Sequence, residues 1–214
     1  TPCRRSLLQS LDMPVADDST LLIGMIARMV DQKGLDLLME AMPELMKLPV
    51  CFVLLGSGDP RYEQASLEWE RQWPGRFRVR IGYDEILAHR ILGGADVFLM
   101  PSKFEPCGLS QMYAMQYGVL PIVHATGGLK DTVRDLGDGN LPEGTGFLFE
   151  TYQADDLLRT LHRALKIFQG NPRQWKTIQR RIMKQDRSWN VFASQYIELY
   201  QKILSEPQRS LQGA

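Results

Sequence analysis

The sequence predicts an α/β protein: a doubly wound parallel sheet with helices on both faces and a helical C-terminal tail. Three observations predict it. Short, continuous apolar runs recur along roughly the first 150 residues, as expected of strands buried on both faces. Segments with helical spacing separate successive runs at the interval of βα units. From Gln153 to Leu204 the pattern is helical, broken at Gly170-Asn171-Pro172 and near Asp186 to Trp189. Right-handed crossovers then make a Rossmann-like sheet the economical topology.

The elements follow in order. Thr20 to Ala27 (TLLIGMIA) is a buried strand bounded by polar residues. Asp31-Gln32-Lys33-Gly34 is a turn, and Leu35, Leu38, Met39 and Met42 mark a helix that continues to Leu48. Val50 to Leu55 is the second strand, ending in Gly56-Ser57-Gly58-Asp59-Pro60. Tyr62 to Trp73 reads as a helix stopped by Pro74-Gly75, and Phe77 to Ile81 as the third strand. A short helix over Asp84 to Gly93 leads to a fourth strand, Ala95 to Met100, and a further helix covers Met112 to Gly118. Val119 to Val123 and Gly146 to Phe149 complete the strands, with a surface loop at Asp135 to Gly144. The expected organisation is a lead-in over 1–19, a Rossmann-like unit over 20–186, a helix over 187–205 and a frayed tail over 206–214.

Bulk composition bounds the function. The 214 residues suffice for one full domain with a sizeable core. Twenty-five acidic and 25 basic residues balance to zero, which argues against nucleic-acid binding by bulk charge. Three cysteines at wide spacing give neither a disulfide framework nor a CxxC knuckle, and three histidines have no metal-ligand spacing. A reducing compartment fits this usage. No apolar run reaches membrane-spanning length, and no secretory h-region follows Thr1-Pro2-Cys3-Arg4-Arg5. The chain opens on Thr rather than Met, as a domain cut from a longer protein or a processed chain would.

The chemistry concentrates in loops that follow strands, where open α/β sheets bind ligands. Glu105 lies in Pro101-Ser102-Lys103-Phe104-Glu105-Pro106-Cys107-Gly108-Leu109-Ser110-Gln111, between a strand and a helix. It either caps that helix or faces a ligand held by the N–H groups of Gly108, Leu109 and Ser110. Arg28 and Lys33 flank the turn after the first strand, as phosphate-reaching cations or as solvated loop charges. Tyr83, after Gly82, either stacks on a base or packs over the sheet edge. Gly56-Ser57-Gly58 matches a dinucleotide fingerprint poorly and reads as a tight turn. Thr126-Gly127-Gly128-Leu129 admits close backbone approach or serves a turn. Cys107 has no histidine near it in sequence and reads as a small wall residue. Trp69 and Trp73 are helical neighbours, spaced as well for an exposed aromatic pair as for amphipathic packing, and Trp189, Phe192, Tyr196, Leu199, Tyr200 and Ile203 read as a packing face in preference to a ligand box.

An ordered set of motifs then resembles one family: Arg28-x4-Lys33-Gly34, LLGSGD, GYDE, GGADVFLMPSKFEPCGLSQMYAMQYG and TGGLKDTV. Together they look like the C-terminal half of bacterial glycogen synthases and plant starch synthases, glycosyltransferase family 5. The resemblance implies one half of a two-domain GT-B enzyme that needs no metal and no cofactor. Such an enzyme transfers glucose from ADP-glucose to the non-reducing end of an α-1,4-glucan (glycogen or starch), with retention. By motif, Arg28 and Lys33 hold the diphosphate and Glu105 lies under the glucose, the three forming the catalytic set. Gly82, Tyr83, Cys107, Gly108, Leu109, Ser110 and Tyr113 are implied to bind the donor. Many related retaining transferases carry a second Glu eight residues after the first; here that position is Tyr113, as the synthase branch allows. The family's lysine-containing N-terminal motif has no counterpart in 1–28, so a separate N-terminal domain is an implied partner and the fragment alone is expected to be inactive. The implied location is cytoplasm in a bacterium or plastid stroma in a plant. Two alternatives stand beside this reading: a GT-B relative using another nucleotide sugar, and a non-catalytic nucleotide- or glucan-binding module.

Overall fold

A computed structural model describes residues 1–14, 17–186 and 188–205, without the side chains of Val191, Phe192 and Gln195. The tail expected over 206–214, and the side chain of Phe192, lie outside the described residues. Six parallel strands form one sheet: β1 (Leu21–Ile26), β2 (Val50–Gly56), β3 (Phe77–Ile81), β4 (Val97–Met100), β5 (Leu120–His124) and β6 (Phe147–Phe149). Their order is β3-β2-β1-β4-β5-β6. The chain winds outward from β1 to β3, crosses back, and winds the other way from β4. Pairs such as Ile23 with Val97 and Ile23 with Phe52 place the reversal between β1 and β4. That reversal is the topological switch point, with its crevice at the carboxyl ends of β1 and β4.

The helices are α1 (Pro2–Ser10), α2 (Leu35–Leu45), α3 (Pro60–Gln72), α4 (Glu85–Gly94), α5 (Ser110–Gln116), α6 (Gly127–Thr132), α7 (Ala154–Gly170), α8 (Pro172–Met183) and α9 (Trp189–Ser205). α2 neighbours α7 on one face of the sheet, and α1, α4, α5 and α8 adjoin in turn on the other. The core is the sheet itself, with Phe52 stacked on Phe77 at 5.4 Å and Trp69 edge-on to Phe77 at 5.6 Å. Trp69 is buried and Trp73 packs against the same core, so of the two readings of this pair the structure takes packing.

Several boundaries differ from the sequence expectation, each for a local reason. The fourth strand begins at Val97 because Ala95 closes α4 and Asp96 turns its carboxylate onto Arg4 and the Leu22 N–H. Asp84 is the cap of α4, accepting from Leu87 N at 2.8 Å, and Asp59 caps α3 by accepting from Arg61 N at 2.9 Å. α5 runs two residues earlier than expected, and the chain after it turns through left-handed Gly118. The segment 1–19 contains a helix the sequence reading did not anticipate. Thr1 caps it, Pro2 opens it, and Leu7 and Leu8 are fully buried. Its Arg4 is buried, pairs with Asp96 and donates to Thr20 O at 2.5 Å, tying α1 to the starts of β1 and β4.

Residues 1–183 form one compact unit and residue 184 onward a second. The second unit contains α9, on which Trp189, Tyr196, Leu199, Tyr200 and Ile203 are exposed.

Candidate active site at the switch point

Two loops meet over the crevice. After β1 the chain passes Arg28, makes a 3-10 turn over Asp31–Lys33 and enters α2 through Gly34. Gly34 sits at φ +77°, and a Cβ there would lie 2.0 Å from the Pro101 carbonyl oxygen. Only glycine lets this turn close against the loop after β4. Lys103 N donates to Gln32 O at 2.9 Å, and Gln32 Nε2 donates to Phe104 O at 3.4 Å. These bonds bring Lys33 to Glu105, 72 residues apart, with Nζ 2.5 Å from Oε2. Glu105 is 8% exposed, and Ser102 Oγ donates to the same oxygen at 3.1 Å. Oε1 has no protein donor among the described residues. The carboxylate therefore does not cap α5, the alternative raised by the sequence. It is held by Lys33 and Ser102 through one oxygen, with the other free of protein donors among the described residues.

The loop is supported from behind by the turn after β5. Gly128 N donates to Glu105 O at 3.0 Å. A Cβ on Gly127 would come 2.2 Å from Glu105 O, and one on Gly128 2.1 Å from Cys107 O. The close backbone approach at Gly127 and Gly128 is made to the Glu105 loop. Among the described residues, the N–H groups of Gly108, Leu109 and Ser110 donate to no protein acceptor, and Leu109 provides no side-chain cap. Cys107, Leu109 and Tyr113 are exposed, and Ser110 opens α5.

Arg28 is exposed and donates to Gln32 Oε1 at 3.3 Å, so Gln32 links it to the Glu105 loop. Arg28 also lines a cavity of about 220 Å³ with Ala27, Gly56, Ser57, Gly82 and Tyr83, at the carboxyl ends of β1, β2 and β3. Tyr83 is 89% exposed, so it does not pack over the sheet edge. Asp31, next to this site, is held below the usual carboxylate range, chiefly by the Tyr62 hydroxyl and also by Arg61. A larger cleft of about 760 Å³ lies at the amino ends of β1, β4 and β5 and contains none of these site residues.

The arrangement suits transfer of a group off a phosphate. Cations such as Arg28 and Lys33 and open backbone donors are the groups that can stabilise developing negative charge, and a carboxylate oxygen such as that of Glu105 can meet a polar or cationic centre. The structure brings Arg28, Lys33 and Glu105 to one crevice and adds Gln32 and Ser102 as their hydrogen-bond partners, which sequence reasoning did not single out. These look like ordinary loop and strand-end residues until the strand order is known. Among the described residues no cluster of three His, Cys, Asp or Glu could hold a metal ion, and no helix is long and apolar enough to cross a membrane.

The chain belongs to the glycosyl transferases group 1 family, whose profile matches residues 13–181. Within that class it is similar to the glycogen synthase of Anaeromyxobacter dehalogenans, at 47% identity over 201 residues, covering 94% of this chain and 42% of that protein. It is also similar to the glycogen synthase of Desulfitobacterium hafniense, at 46% identity over 182 residues, covering 85% of this chain and 39% of that protein. The fold matches the catalytic domain of starch synthase IV from Arabidopsis thaliana bound to ADP and acarbose. The TM-score is 0.84 and the identity 37%, over 96% of this chain and 43% of that one. The fold is thus that of GT-B glycosyltransferases. The chain spans less than half the length of these relatives.

Proposed function

We propose that this chain is the donor-binding C-terminal domain of a glycogen or starch synthase, using ADP-glucose and an α-1,4-glucan acceptor. The observation that carries the reading is the Lys33–Glu105 pair at the switch point, with Arg28 and the unpartnered N–H groups of Gly108 to Ser110 beside it. Similarity to glycogen synthases and to a starch synthase bound to ADP and acarbose supports the donor and acceptor classes.

In this reading ADP lies along the loops after β1 and β3, with its adenine against Gly82 and Tyr83. The diphosphate meets Arg28 and Lys33, and the distal phosphate meets the N–H groups of Gly108 to Ser110. Glu105 orients a glucose hydroxyl or stabilises the cationic anomeric carbon. The bond from that carbon to phosphate breaks, a bond to the acceptor hydroxyl oxygen forms, the hydroxyl proton passes to the departing phosphate oxygen, and ADP leaves stabilised by the cations. Glu105 is not assigned as a covalent nucleophile, because that route needs a second carboxylate nearby. The unit over 20–186 would work with an N-terminal domain, toward which the helix over 187–205 would present its exposed apolar residues.

The test is transfer of labelled glucose from ADP-glucose to glycogen, by the longer protein that carries this chain and by the chain alone. Transfer by the longer protein and none by the chain supports the reading. Transfer by the isolated chain contradicts its role as a half-enzyme, and transfer only from UDP-glucose contradicts the donor assignment.

A further inference from the structure

A loop carboxylate is only as well placed as the groups that hold it. One hold on Glu105 is Lys33; the other is Ser102, whose Oγ donates to Oε2 at 3.1 Å. Ser102 is 1% exposed, and its own carbonyl oxygen lies 2.8 Å from Nδ1 of His124. A carbonyl can only accept, so Nδ1 carries the proton in this contact. Among the described residues the Ser102 carbonyl has no other donor.

His124 is the last residue of β5 and is buried. Its ring stacks on Phe149 at 5.2 Å and meets Tyr152 at 5.3 Å. The Tyr152 hydroxyl donates to Asp36 Oδ1 at 2.5 Å, which fixes that wall in turn. The backbone of His124 leads to the same loop. Thr126 N donates to His124 O, and Gly128 N, two residues on, donates to Glu105 O. An apolar residue could fill the slot between Phe149 and Tyr152, but it would leave a buried carbonyl without a donor.

From this geometry we infer that His124 is a positioning residue for Glu105, acting through Ser102. The inference rests on the donor-domain reading above. His124 fixes the Ser102 backbone, Ser102 fixes one oxygen of Glu105, and the free oxygen is thereby set against the transferred sugar. Because the chain of contacts ends at the sugar-facing carboxylate and not at the diphosphate cations, its loss should appear in turnover and not in donor affinity.

The experiment uses the longer protein carrying this chain, with ADP-glucose and glycogen. His124→Phe keeps the stacked ring and deletes the donor; His124→Asn returns an N–H near the Nδ1 position; Ser102→Ala removes the hydroxyl alone. His124→Phe and Ser102→Ala should each lower kcat about tenfold or more, with KM for ADP-glucose changed by less than about twofold. The double variant should be no worse than the poorer single one, and His124→Asn should recover kcat to within about threefold of the parent. Unchanged kcat in Ser102→Ala, multiplying losses in the double variant, or no recovery in His124→Asn would overturn the proposal. Where His124→Phe does not fold, His124→Asn still decides the step from His124 to the Ser102 carbonyl, and Ser102→Ala the step from Ser102 to Glu105. A second arm is independent of activity: nitrogen NMR of the chain should show His124 protonated at Nδ1, and a ring protonated at Nε2 alone would refute the inference. A parent protein inactive with ADP-glucose would count against the donor-domain reading, and the NMR arm would still decide the contact.

Discussion

Lys33 Nζ and Glu105 Oε2 meet at 2.5 Å across the point where the strand order reverses. Neither residue has this partner by local sequence. The contact exists because β1 and β4 are neighbours, so the loops at their carboxyl ends share one crevice. Glu105 is buried, so the proposed chemical role of the pair comes with a structural one.

Removing one member should therefore do two things. Lys33→Ala should weaken ADP binding by about ten- to a hundredfold, the usual worth of a charge-assisted contact. It should also lower the urea midpoint, because a buried carboxylate loses its partner. Adding Glu105→Gln should recover part of that stability without restoring ADP affinity. Glu105→Ala alone should abolish turnover in the longer protein with little loss of ADP affinity. Equal loss of ADP binding in all these variants would make Glu105 a structural residue only.

Arg4 is predicted to matter more for stability than its place near the start of the chain suggests. Arg4→Ala leaves Asp96 buried beside the Leu22 N–H and without its cation. The expected cost is about 3 kcal/mol in urea unfolding. Asp96→Asn in the same background should return part of it, and no measurable cost in Arg4→Ala would contradict the assignment of this pair.

Gly128→Ala is expected to destabilise by about 2 kcal/mol or more, since its Cβ would fall 2.1 Å from a backbone oxygen. The same variant should reduce turnover of the longer protein, because the oxygen it displaces belongs to the Glu105 loop. A neutral result would mean that the turn after β5 does not support that loop.

Asp156 supplies a pH dependence with a defined sign. Burial alone would raise its carboxyl, but hydrogen bonds from the N–H and hydroxyl of Thr151, from Arg159 and from the Glu150 N–H outweigh it. Its pKa falls from 3.8 to about 2. A depressed folded-state value stabilises the protein above the unfolded value and loses that contribution as pH falls through the folded one. Wild type should therefore exceed Asp156→Asn in stability above about pH 4, and the gap should close as pH falls toward about 2. A gap independent of pH across that window would show that the charge is not what matters.

Much of the fold was legible because parallel strands buried on both faces read as unbroken apolar runs, as Leu21–Ile26 and Val50–Gly56 do. α1 was not, because its buried face consists of Arg4, Leu7 and Leu8 among polar neighbours, and an arginine that pairs internally looks like a surface charge. Arg28, Lys33, Glu105 and Tyr83 stood out by type and by position after strands. Their partnerships did not, because a contact spanning 72 residues depends on strand order, which spacing along the chain leaves open. His124 and Ser102 were illegible for the same reason. Each is an ordinary residue at the end of a strand until the fold sets β5 beside β4.

The most direct test of the central claim is calorimetric titration of this chain with ADP, UDP and AMP, repeated on Arg28→Ala. Arg28 is exposed and bonds to Gln32 at 3.3 Å, so its removal should leave stability within about 0.5 kcal/mol and report on ligand alone. The account predicts that ADP binds more tightly than UDP or AMP, and that Arg28→Ala weakens ADP about tenfold while leaving AMP nearly unchanged. AMP binding as tightly as ADP, with both unmoved by Arg28→Ala, would contradict it, as would an absence of nucleotide binding in both the chain and the longer protein that carries it.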